Sequence, residues 1–78
     1  MTKNEIRTIV SKYTTNEMWD DESNIFEDLE IDSLDFIKII VEIETKLDLE
    51  IPSEFLEQER WKNINTILDN IQYLRNRL

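Results

Sequence analysis

The sequence predicts an all-α domain of three principal helices and one short one, on three observations. The chain has no Gly and a single Pro. It contains no Val-Ile-Thr alternation of the kind a half-buried strand needs. Its apolar residues instead recur three and four apart in separate stretches divided by polar connections.

The first helix is expected to start at Thr2, because Glu5 stands three residues later. A hydroxyl and a carboxylate at that spacing each satisfy a free backbone N–H of the other residue. Ile6, Ile9, Val10 and Tyr13 follow at helical spacing and carry the helix to about Tyr13. From Thr14 to Ile31 the periodicity dissolves into Asp, Glu, Asn and Ser. Met18, Trp19, Ile25, Phe26 and Leu29 are the candidate anchors of this long connection, and long structured loops in small domains often serve function.

The second helix is predicted from Asp32 or Ser33, either of which can cap it, through Leu34, Phe36, Ile37, Ile39, Ile40, Val41 and Ile43. Seven apolar residues in ten positions exceed what one buried face needs. In so small a chain some of them are expected to lie exposed as a partner surface; the same run also suits a central helix packed on three sides. Leu49-Glu50-Ile51-Pro52 is expected to break the helix, since Pro disfavours helical geometry in the residue before it. Ser53 is placed as the cap of a short piece around Glu54–Gln58. Asn63 is placed as the cap of a last helix with Ile64, Ile67, Leu68, Ile71, Leu74 and Leu78 on one face.

Composition narrows the chemistry. Seventy-eight residues suit one domain, 1–78, with a thin core and no deep pocket. The absence of Cys and His removes disulfides, thiolate metal sites and the usual general base. An EF-hand register beginning at Asp20 fails, with Ile25 where Gly is needed and Ile31 where Glu is needed. Phosphate-cradling loops require Gly. Asp32 and Asp35 fit helix-start residues better than an acid–base pair, so no catalytic residue and no metal site is assigned and the chain is not expected to be an enzyme. No apolar run approaches the roughly 18 residues of a membrane span, and the N-terminus lacks a signal peptide's apolar stretch, which leads to a soluble cytoplasmic protein as the expectation. The net charge of −9 is segregated: Glu17 to Glu59 holds nearly all the acids against Lys38 and Lys46 alone, while both ends are mildly basic. Such a field repels nucleic acid, attracts basic protein surfaces and favours a monomer. It also keeps a small protein soluble.

One stretch remains, Phe26-Glu27-Asp28-Leu29-Glu30-Ile31-Asp32-Ser33-Leu34-Asp35. With Asp32-Ser33-Leu34 at the start of the second helix, Phe26-x-x-Leu29 before it and Glu44-x-x-Leu47-x-x-x-Ile51-Pro52 after it, the chain resembles the acyl carrier protein family over nearly its whole length. The resemblance implies an acyl-carrier-like four-helix bundle. It also implies a 4′-phosphopantetheine arm, drawn from coenzyme A, on Ser33, whose terminal thiol carries acyl or aminoacyl groups as thioesters. The expected partners are a phosphopantetheinyl transferase, an acyl- or aminoacyl-loading enzyme and downstream synthases. A serine at a helix start can be approached by another enzyme, and its phosphodiester would lie beside the helix's positive dipole end. A serine there also serves as an ordinary N-cap.

Carried over residue by residue, Leu34, Ile37 and Val41 match the exposed partner strip, with Ile51 near its far end. Asp32, Asp35 and Glu44 match acidic positions that meet basic patches. Phe36, Ile39, Ile40, Ile43 and Leu47 form the expected inner face. Two residues depart from the pattern. Glu30 stands where the family often has Gly, so the backbone there must avoid a Gly-only conformation or accept strain. Lys38 stands where many fatty-acid carriers are acidic, which alters partner choice. Ser53-Glu54-Phe55 with Arg60-Trp61 also looks like discrete aminoacyl carriers, including D-alanyl carriers. Fatty-acid, polyketide or other specialised biosynthesis and D-alanylation all remain open, as does a non-covalent acidic helical adaptor.

Overall fold

The computed structural model describes residues 1–77; Leu78, expected on the last apolar face, lies outside the described residues. The described residues form helices α1 (Lys3–Ser11), α2 (Ser33–Leu47) and α3 (Ile64–Asn76), with two 3-10 turns, Ser53–Phe55 and Gln58–Trp61, between α2 and α3. None of the described residues lies in a strand, and none of these helices is long and apolar enough to cross a membrane.

Each α-helix begins where its capping chemistry dictates. The Glu5 N–H donates to the Thr2 hydroxyl at 3.2 Å and Glu5 Oε1 accepts the Thr2 N–H at 3.0 Å, closing the reciprocal pair. Asn63 accepts the Thr66 N–H at 2.8 Å, and the Thr66 hydroxyl accepts the Asn63 N–H at 3.2 Å. Helix α1 ends two residues before Tyr13, whose N–H donates to the Val10 carbonyl in a closing turn.

Helix α2 ends just before the Leu49–Pro52 segment expected to break it, but from a different cause. Its last residue is Leu47, well before Pro52, because Asp48 turns left-handed at φ 50°, ψ 49°. The Asp48 and Leu49 N–H groups both donate to the Glu44 carbonyl, the helix-ending geometry usually given to Gly. The single short helix capped by Ser53 is also corrected. Pro52, at φ −59°, precedes the first 3-10 turn and provides no side-chain cap, while Ser53 lies inside the turn and its hydroxyl donates to Glu54 Oε2 at 3.4 Å. The break between the turns lets Trp61 reach the core.

The core is mostly isoleucine. Ile6, Ile9 and Val10 of α1, Phe36, Ile39, Ile40 and Ile43 of α2, and Ile64, Ile67, Ile71 and Leu74 of α3 are all buried, together with Ile25, Leu29, Ile31, Ile51 and Trp61 from the connections. Leu47 and Leu68 pack against this cluster while half-buried. Helix α1 touches both α2 and α3. Near its C-terminus, Lys12 Nζ and the Tyr13 hydroxyl both donate to the Glu42 carboxylate of α2.

In the long connection Ile25 and Leu29 anchor as expected, and Trp19 is half-buried under the Arg7 guanidinium, 4.0 Å from its ring centroid. Met18, expected as an anchor, is 90 % exposed. The polar residues here satisfy the backbone: Asn16, Asp20 and Asn24 accept N–H groups two residues on, as short polar side chains do in turns. Two hydrogen bonds clasp the loop to the segment before α3 and its first turn, Ile25 N–H to the Lys62 carbonyl at 2.7 Å and Asn65 N–H to the Asp21 carbonyl at 3.4 Å.

Glu30 accepts strain: its φ is +56°. A left-handed residue with a Cβ costs about 1–2 kcal/mol. Glu30→Gly removes that strain and adds flexibility to the unfolded chain, for a net gain of about 0.5–1 kcal/mol, read as a raised midpoint in urea denaturation. The Glu42 clamp makes stability depend on pH. Hydrogen bonds from Lys12 and Tyr13 hold the Glu42 carboxyl below its ordinary range, and the bond to Glu42 pushes the Tyr13 hydroxyl up. The Glu42 contribution is therefore present above the ordinary carboxylate range and is lost as pH falls through the lowered value. Denaturation across an acidic pH series is expected to show Glu42→Gln losing less stability than the parent as pH falls.

Candidate functional site

The sequence around Ser33 places its hydroxyl at the exposed start of α2. Ile31 and Phe36 are both buried, and the Phe36 ring meets the Phe26 ring edge-on at 5.2 Å. These contacts pin the chain on either side of the helix start. The Ile31 N–H donates to the Ile25 carbonyl at 3.1 Å, tying the approach to α2 back to the loop anchor. Between the pins, Asp32 is the N-cap, and its Oδ1 accepts the Asp35 N–H at 2.8 Å.

That settles which of the two adjacent residues caps α2. Ser33 is the first helical residue, exposed, and its hydroxyl is not used on the backbone. It accepts a hydrogen bond from Gln58 Nε2 at 3.4 Å, from the second 3-10 turn. Gln58 carries no sequence signal for this contact, because the partners lie 25 residues apart and meet only through the fold.

The surplus of apolar residues in α2 resolves into two faces. Leu34 is 65 % exposed, Ile37 45 % and Val41 51 %, whereas Phe36, Ile39, Ile40 and Ile43 are buried. Asp32 is exposed and Asp35 half-buried on the same rim. Lys38 Nζ lies 3.8 Å from Asp35 Oδ1, a solvent-accessible pairing one helical turn apart that adds little stability but partly neutralises Asp35.

Two expected members of this surface are placed otherwise. Ile51 is buried in the core, so it is not the far end of an exposed strip; the chain after Asp48 folds inward and takes its side chain under the bundle. Glu44 is half-buried, and its Oε2 accepts the Ile51 N–H at 2.7 Å. Its carboxylate thus closes the turn after α2 as well as contributing negative charge. Among the described residues, no Asp and Glu side chains are gathered in a group that could hold a metal ion.

The comparisons with known proteins agree with this geometry. A family model described as a phosphopantetheine attachment site matches residues 4–71. The acyl carrier protein of Rubrobacter xylanophilus is 32 % identical over 80 residues, covering 95 % of this chain and 93 % of that protein. This chain belongs to the acyl carrier protein family. The acyl carrier proteins of Phytoplasma mali, 43 % identical over 51 residues, and Helicobacter hepaticus, 38 % identical over 53, cover 65 % and 68 % of this chain. Those two matches span 58 % and 63 % of the relatives' own length.

Covalently attached 4′-phosphopantetheine accompanies membership of this family. The residues at the start of α2 fit such a group: an exposed hydroxyl released from capping, the free end of a helix dipole and an amide donor within reach. The two faces of α2 carry a direct test. Val41→Ser is expected to change the unfolding free energy by no more than about 0.5 kcal/mol, whereas Ile51→Ala lowers it by about 2–5 kcal/mol. Urea denaturation of both variants checks the assignment of inner and outer residues.

Proposed function

We propose that residues 1–78 are a discrete carrier domain that takes 4′-phosphopantetheine on Ser33 and is not itself an enzyme. The observation that carries this reading is the division of labour at the start of α2: Asp32 caps the helix, leaving the adjacent Ser33 hydroxyl exposed and free to react. Modification forms an Ser33 O–P bond as the pyrophosphate P–O bond of coenzyme A breaks. Adenosine bisphosphate leaves, and the serine proton passes to the transferase or to solvent. The attached arm supplies a terminal thiol, which holds acyl or aminoacyl groups as thioesters in a chain with no Cys of its own.

The chain's own residues bind and orient. Leu34, Ile37 and Val41 offer apolar contact to a phosphopantetheinyl transferase, to loading enzymes and to downstream synthases. Asp32, Asp35 and Glu44 draw basic groups of those enzymes towards the serine, and Lys38 alters which of them fit. The net charge of −9 supports a monomer that avoids nucleic acid. Relatives named acyl carrier proteins support acyl cargo, and fatty-acid, polyketide or other specialised biosynthesis are the routes such cargo would serve.

Aminoacyl carriage of the D-alanyl type is a second reading. The residues that suggest it form one unit, with the Trp61 indole N–H donating to the Phe55 carbonyl and the Arg60 guanidinium 5.2 Å above the Phe55 ring.

Intact-mass measurement after incubation with coenzyme A and a broad-specificity transferase tests the proposal. The chain is expected to gain one phosphopantetheine, and Ser33→Ala none. No gain under conditions that modify a control carrier overturns it in favour of a non-covalent adaptor. Loading of the modified chain by acyl-activating against aminoacyl-activating enzymes separates the two cargo classes.

A further inference from the structure

Ser33 has one neighbour whose chemistry goes beyond access. Gln58 Nε2 donates to the Ser33 hydroxyl at 3.4 Å, and the backbone that presents it is held from several sides. Trp61, three residues on, is fully buried, and its indole N–H donates to the Phe55 carbonyl. The Arg60 N–H donates to the Glu57 carbonyl at 3.0 Å. The Arg60 carbonyl accepts a hydrogen bond from Asn70 of α3. The amide is therefore delivered to the serine by a fixed turn that a core tryptophan anchors.

The identity of the residue matters as much as its place. Gln58 is the uncharged member of Glu57-Gln58-Glu59, and it is the one that reaches Ser33. A phosphodiester on Ser33 would add negative charge beside Asp32 and Asp35, where a further carboxylate would be repelled. A neutral amide adds no charge and offers N–H donors. Hydrogen bonds to an ionised acceptor are roughly twice as strong as those between neutral groups, so a contact that is long with the free hydroxyl gains strength once the acceptor is a phosphate.

We infer that Gln58 is a positioning residue for the phosphopantetheine arm: its side-chain amide donates to the phosphodiester on Ser33 and holds the root of the arm against the second 3-10 turn. This rests on Ser33 being the attachment residue and deepens that reading.

The test uses the whole chain with ¹⁵N labelling, before and after loading with coenzyme A and a broad-specificity transferase, with intact mass confirming attachment. Gln58→Ala and Gln58→Glu, the latter of equal size but lacking the donor, are compared with the parent. The expected result is a downfield shift of the Gln58 side-chain amide protons on loading and a ³¹P signal in both variants displaced from that of the parent. Loading is expected to slow on the order of tenfold in Gln58→Ala, as for loss of one hydrogen bond to a charged group, and further in Gln58→Glu. The melting temperatures stay together, because Gln58 is exposed. Amide protons that do not move on loading, with one ³¹P position for all three chains, overturn the inference while leaving Ser33 as the attachment residue. A parent chain that gains no arm overturns both.

Discussion

The Asp32 carboxylate, by accepting the Asp35 N–H, fixes where α2 begins, and what α2 displays follows from that register. Each residue advances an α-helix by about 100°. A start one residue later would make Ser33 the cap and occupy its oxygen on the backbone. A slip of the whole segment by one residue would also rotate Leu34, Ile37 and Val41 relative to the core. Buried Ile31 before the cap and buried Phe36 after it make such a slip expensive, so the register is held by packing on both sides and by a hydrogen bond between them.

Most of the architecture was legible because its causes are local. The pair Thr2–Glu5 and the cap Asn63 start their helices with contacts three residues apart, and Ile64, Ile67, Ile71 and Leu74 line up by periodicity alone. The excess of apolar residues in α2 correctly implied an uncovered face, since a bundle this small cannot surround a helix. The acidic middle and the Asp32-Ser33-Leu34 start were likewise visible without coordinates.

What escaped the sequence depends on through-space contacts or on backbone conformations that side-chain type does not announce. Asp48 looks like any helix-interior or turn residue, yet its left-handed geometry ends α2 before Pro52 can act. The family resemblance places Ile51 at the far end of the exposed strip, but the chain reverses at Asp48 and carries it under the bundle. Met18 shares the apolar character of Ile25 and Leu29 and none of their burial. Gln58 meets Ser33, and Tyr13 meets Glu42, only after distant segments have come together.

The outward face of α2 is not required by the fold, and this separates two kinds of inheritance in one helix. Residues 36, 39, 40 and 43 answer to the core, where a lost methylene is felt at once. Residues 34, 37, 38 and 41 lie outside that packing, where substitution costs little stability. A lineage can rewrite the second set one residue at a time without passing through an unfolded intermediate sequence. Lys38, a cation on an otherwise acidic rim, is the kind of change such freedom permits.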